Sequence, residues 1–194
     1  MSGAGVVVVA ALLAVGMPLP QEVARRYAGA VVVVERAVPD RAPQKSHGFF
    51  VSSAGLLCSL LPGAREGDAV IVHADKAEDG VVVVVDGDGL ALVQVKGVVD
   101  VAALGVSAKE TPTRWLVGLA RADGGVQGML GGLEAALPNQ GDRWRVMLPL
   151  PRGAPILDEH NDVVAIAVKG LGGGLIEALP VRHLKALAAK LNKS

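Results

Sequence analysis

Side chains able to do covalent or acid–base chemistry are few in this chain. There are four histidines, His47, His73, His160 and His183, and one cysteine, Cys58. None of the histidines has a serine, a cysteine or a carboxylate at a spacing that implies a catalytic pair, and no two stand at metal-ligand spacing. His47 precedes a hairpin and is expected to line a loop. His73 closes an apolar run as a core-edge or surface residue, His160 sits solvated in the turn DEHND, and His183 lies on the last helix. Cys58, inside LLCSLL, is expected to be a small buried hydrophobe with an unreactive thiol. The stretch GGVQGMLGG, residues 124–132, lacks the Gly-Lys-Ser ending and strand-to-helix context of a phosphate loop, so a glycine-permitted hairpin is the expectation. Arg143, Arg145 and Arg152 flank one strand of the second half. A solvated face is the plain reading of them, and an anion- or carboxylate-binding cleft the sharper one. No cofactor site and no metal site is expected.

The elements that position these residues are short strands. Of 194 residues 51% are hydrophobic but only 3% aromatic, with 25 glycines and 11 prolines; much valine between so many turn formers favours strands joined tightly. Lys plus Arg equals Asp plus Glu at 19 each, with no run of like charge, which excludes the electrostatic footprint of a nucleic-acid or anionic-membrane binder. One cysteine excludes an intrachain disulfide framework. The uncharged run GVVVVAALLAVGM, residues 5–17, has the length of a signal-peptide core, with small residues at Ala14, Val15 and Gly16 for cleavage but no basic residue before it. It reads as an export or anchoring leader, with a buried N-terminal strand as the alternative. Any membrane contact would run through this leader alone.

After the leader, residues 20–28 read as a helix with Pro20 near its start. Strands are expected at 30–34, 48–51, 56–61, 69–73, 81–85 and 90–95, with a proline-bearing loop at 39–45. A connecting segment, 98–113, separates them from strands at 115–120, 126–133, 144–148, 154–157, 163–168 and 175–178. Trp115 and Trp144 open strands and are expected in the core or at its rim. From Pro180 a helix presents Val181, Leu184, Leu187, Ala188 and Leu191 on one side. About a dozen short strands with one terminal helix indicate an all-β barrel or sandwich protein.

The order of segments resembles the protease domain of HtrA-type, trypsin-like serine proteases over residues 19–191. The likeness rests on EVARRYAGAVVVVE, on the hairpin GFFVSSAG at 48–55, on Gly153-Ala154-Pro155-Ile156-Leu157, on Val163-Val164-Ala165-Ile166 after a turn, and on Ala178-Leu179-Pro180 before the last helix. The resemblance implies two six-stranded antiparallel β-barrels with a cleft between them. The N-terminal barrel would span about 29–100 and the C-terminal barrel about 113–179, with a helix at 180–192 and the leader at 1–18.

The resemblance also implies where a catalytic triad would stand. Acyl transfer needs a hydroxyl nucleophile, an imidazole base and a carboxylate that orients the base. The family's histidine falls at Pro62 in SLLPGA, its aspartate at Gly89 in GLAL, and its serine at Arg152 in LPRGAP. The glycine that would donate to the oxyanion falls at Leu150. Asp86 and Asp88 are near Gly89, but a shift of one residue on a strand turns a side chain to the other face. An arginine is permanently protonated and is no nucleophile. The expectation is therefore a non-catalytic member of the class, exported to the periplasm or envelope, that binds another protein or peptide; the alternatives are a serine endopeptidase with relocated catalytic residues and a cytoplasmic location. Arg152, projecting into the cleft, should be partly exposed or paired with a carboxylate or backbone carbonyls, because an unpaired buried charge is costly.

Overall fold

The computed structural model describes residues 19–97, 100–109, 115–137 and 142–191. The leader, parts of the connecting segment and residue 192 of the expected last helix lie outside them. Twelve strands are described: β1 Val31–Arg36, β2 Gln44–Phe50, β3 Leu56–Leu60, β4 Ala69–His73, β5 Ala77–Val85, β6 Leu90–Val95, β7 Leu116–Ala122, β8 Gly125–Leu137, β9 Arg143–Met147, β10 Pro155–Leu157, β11 Val163–Gly172 and β12 Leu175–Pro180. Helix α1 is Pro20–Arg26 and α2 is Arg182–Leu191.

The strands close into two antiparallel barrels, in the order β1-β2-β3-β6-β5-β4 and β10-β11-β12-β9-β8-β7. Closure leaves neither sheet with a free edge. The valine run of β1 shows why such runs occur here. Val32 and Val34 fill the interior of the first barrel. Val31 points the other way, into a second apolar layer shared with Val117, Leu119, Leu157 and Ile166 of the second barrel. With both faces covered, alternation disappears from the sequence. Strand β11 behaves alike, sending Val164, Ala165 and Ala167 into its own barrel and Val163 and Ile166 to the shared layer.

The helices strap this arrangement. Helix α1 buries Val23 and Ala24 and packs on β7 and β8, although it precedes the first barrel in the chain. Helix α2 buries Leu184 and Leu187 and returns from the second barrel to pack on β5 and β6 of the first. Trp144 is 4% exposed in the core of the second barrel.

Side chains tie the barrels as well. Arg121, at the end of β7, is 15% exposed. Its Nε donates to Val31 O at 2.8 Å, Nη2 to Ala28 O at 2.9 Å and Nη1 to Ala74 O at 3.3 Å, all in the first half of the chain. Among the described residues, no helix is long and apolar enough to cross a membrane.

Candidate functional site

The loop after β3 and the turn before β6 meet at the mouth of the first barrel. Leu61 N–H donates to Gly89 O at 2.6 Å, which places Pro62 directly against Gly89. Gly89 has φ +83°, a conformation that side-chain-bearing residues rarely adopt, and a Cβ on it would lie 2.6 Å from the Pro62 Cα. The structure thus brings these two expected positions together, and neither carries a titratable group.

The nearby carboxylates are engaged elsewhere. Asp86 Oδ1 accepts the N–H groups of Asp88 and Leu90, both at 2.9 Å, and so caps the turn that holds Gly89. Asp88 reaches across to the second barrel, where Arg143 Nη2 donates to its Oδ1 at 2.9 Å. Arg143 also faces Glu177 at 3.6 Å and is 13% exposed. The plain expectation of a solvated Arg143 is therefore corrected: it is a mostly buried link between the barrels, and the sequence signal for it was absent because its partners come from β12 and from the β5–β6 turn.

Arg152 is held by its backbone. Its carbonyl accepts the His47 N–H at 2.8 Å and the Ser46 hydroxyl at 3.2 Å. The following Gly153, at φ +80°, lies so close to β2 that a Cβ would overlap the His47 carbonyl oxygen and lie 2.5 Å from Ser46 Oγ. The Arg152 side chain is exposed, and its Nε makes a long contact of 3.4 Å to Val168 O.

Leu150 is 6% exposed and packs into the second barrel. Its N–H donates to Leu148 O at 2.8 Å, Gly153 N–H to Ala167 O at 2.8 Å, and Ala154 N–H to Pro151 O at 3.2 Å. Pro151 has no N–H. The Leu150 N–H, at the position where an oxyanion donor would stand, is therefore spent on Leu148 O.

The histidines lie apart from these positions. His47 is corrected from a loop to a strand: it sits within β2, paired with Val33 of β1. Its Nε2 lies 2.9 Å from Arg121 O, so the neutral ring donates Nε2–H to that carbonyl. Burial pushes its pKa below the ordinary range, the hydrogen bond to Arg121 O opposing this and the Arg121 charge adding to it. The polar stretch QKSH hid this strand, because its register is set by pairing with β1. His73 lies 3.3 Å from Glu35 Oε2. His160 is exposed, 3.3 Å from Lys109 Nζ. His183 stands on α2, its pKa lowered by burial and then by Arg182 and Arg143, with Asp88 and Asp86 opposing. Cys58 is fully buried, and burial first, then the Asp86 charge, push its thiol far up. Among the described residues, no serine hydroxyl or thiol is hydrogen-bonded to an imidazole nitrogen. The hydroxyls of Ser46 and Ser59 donate instead to the His47 carbonyl, at 3.2 and 2.8 Å. No group of three or more His, Cys, Asp or Glu residues able to hold a metal occurs among the described residues.

Two closed six-stranded antiparallel barrels with a C-terminal helix packed across them define the trypsin-like, or chymotrypsin, fold. The solved structures that share it include the active form of the Rv3671c protease from M. tuberculosis, with a TM-score of 0.71 and 18% identity over 90% of this chain and 88% of that one. An inactive form of the same protease gives 0.69 and 18%, over 90% and 97%. The serine endoprotease from Yersinia pestis gives 0.73 and 14%, over 91% and 68%. No protein-family model matches the chain, and no curated protein matches it in sequence.

Proposed function

We propose that this chain is a non-catalytic homologue of the trypsin-like serine proteases, a pseudoprotease whose fold serves as a protein-binding or scaffold module. The observation that carries this reading is the contact between Pro62 and Gly89. By the order of segments these occupy the base and orienter positions. Proline offers no imidazole, and at the positive φ of Gly89 a Cβ would lie 2.6 Å from the Pro62 Cα, which leaves no room for an orienting carboxylate on residue 89. The backbone, as well as the side chains, supports this reading. Arg152 at the nucleophile position and the donation of Leu150 N–H to Leu148 O support the same reading. Loss of a base or nucleophile alone costs on the order of a million-fold in turnover. A fold can outlive its chemistry, because function lives in sites placed upon it. The apolar run at 5–17 supports export to the periplasm or envelope.

The single variant Arg152→Ser tests the proposal. Its side chain is exposed and makes one long contact, so melting temperature should change by no more than about 2 °C. Peptidase activity should remain absent, since a serine alone has no base. Any hydrolysis would mean that a base stands elsewhere.

A further inference from the structure

We propose that the pocket beside Pro62 is an anion-recognition site that docks an acidic, carboxylate-bearing segment of a partner protein through Arg41 and Arg65. The proposal rests on the binding-module reading and deepens it. The pocket encloses about 640 Å³, and its walls include Val38, Pro39, Arg41, Pro62 and Arg65.

Its floor is built by Arg36, which is 12% exposed. All five N–H donors of this guanidinium are used: Nε and Nη2 to Gln44 Oε1 at 3.3 and 3.2 Å, Nη2 also to Pro62 O at 3.1 Å, and Nη1 to Gly63 O at 3.3 Å and Asp68 Oδ2 at 3.0 Å. The same Asp68 Oδ2 accepts the Arg65 N–H at 3.0 Å. Arg36 and Asp68 thereby lock the loop that carries Arg65 against β1 and β2. Arg36 itself has nothing left to offer a ligand and acts as a positioning residue.

Arg41 and Arg65 stand in the opposite condition. Both are exposed, and among the described residues neither side chain has a hydrogen bond or an ion pair. Asp40 and Glu66, their sequence neighbours, make no ion pair with them. Since Asp68 neutralises Arg36, the wall carries two uncompensated guanidiniums beside the apolar surface of Val38, Pro39 and Pro62. A planar guanidinium fork matches a carboxylate with two parallel hydrogen bonds. Proline-stiffened walls leave little to order on binding. A nucleic acid would call for a longer basic stripe, which a chain with 19 positive and 19 negative side chains does not present.

The test uses the full chain and a fluorescent acetylated hexapeptide, Glu-Val-Glu-Glu-Val-Glu amide, with its Gln-for-Glu counterpart as the neutral probe. Anisotropy is read at low and at physiological ionic strength. The double variant Arg41→Ala/Arg65→Ala should bind the acidic peptide at least about tenfold more weakly than wild type, with an unchanged melting temperature. Arg25→Ala, on the exposed face of α1, should bind as wild type, and the neutral peptide should bind wild type no better than the acidic peptide binds the double variant. Arg41→Gln alone should show an intermediate loss. Equal binding by wild type and double variant overturns the site, as does a short DNA duplex that competes better than the peptide. Mass spectrometry of the probe after incubation separates the two readings: cleavage would contradict the pseudoprotease assignment while leaving the pocket intact.

Discussion

Gly153→Ala is expected to be among the most damaging single substitutions in this protein, although it adds only one methyl group. Two costs coincide. At φ +80° the left-handed backbone costs any side-chain-bearing residue about 1–2 kcal/mol. The new Cβ would also overlap the His47 carbonyl, and that oxygen belongs to a strand backbone pinned by the Ser46 and Ser59 hydroxyls. Because β2 cannot yield as a flexible side chain would, the total should reach about 3–4 kcal/mol. For a domain of this size that is a fall of about 10 °C in melting temperature. Thermal unfolding followed by circular dichroism reads it. Gly124→Ala is the control, since nothing lies within 4 Å of a Cβ there. A fall under about 2 °C for Gly153→Ala would show that the β2 contact is not tight.

Arg121→Ala should cost a similar amount for a different reason. Its guanidinium satisfies the carbonyls of Ala28, Val31 and Ala74 across the barrel interface, and truncation leaves three partly buried acceptors to find water. Hydrogen bonds from a charged donor contribute about 1.5–3 kcal/mol, and orphaned partners add to the loss, so about 3–4 kcal/mol is expected. Arg121→Lys should recover only part of it, because one ammonium cannot reach three diverging carbonyls. By contrast Asp75, the ionic partner of Arg121, is 93% exposed, and Asp75→Asn should leave stability nearly unchanged. Chemical denaturation of the three variants separates the carbonyl contacts from the ion pair. Equal losses for Arg121→Ala and Asp75→Asn would contradict this division.

Much of the fold was legible because apolar runs were bounded by turns containing glycine or aspartate. Strands β4 and β6 begin and end where such runs do. The misses have physical causes. Strand β5 starts at Ala77, four residues earlier than the valine run, because Ala77, Glu78, Asp79 and Gly80 are carried into the sheet by pairing with β4. Strand β8 runs on to Leu137 through LEAAL, a segment of good helix formers that pairing with β9 overrides. At the candidate site the sequence supplied the residue types alone: Pro62, Gly89 and Arg152 bring no imidazole, carboxylate or hydroxyl side chain. Their physical interlock was not legible. The contact of Gly89 with Pro62 and the seat of Gly153 under His47 join segments distant in the chain. No local pattern marks them, nor does one mark Arg121, whose acceptors Val31 and Ala28 lie 90 and 93 residues away.

A non-catalytic chain holds no activated serine. The most direct measurement is treatment of the folded, purified chain with a fluorophosphonate probe, trypsin being the positive control, followed by intact-mass spectrometry. Such probes react with serines whose hydroxyl is activated by a base. An unchanged mass is expected under conditions that label trypsin fully. Stoichiometric addition of one probe to any serine, abolished by heat denaturation, would contradict it.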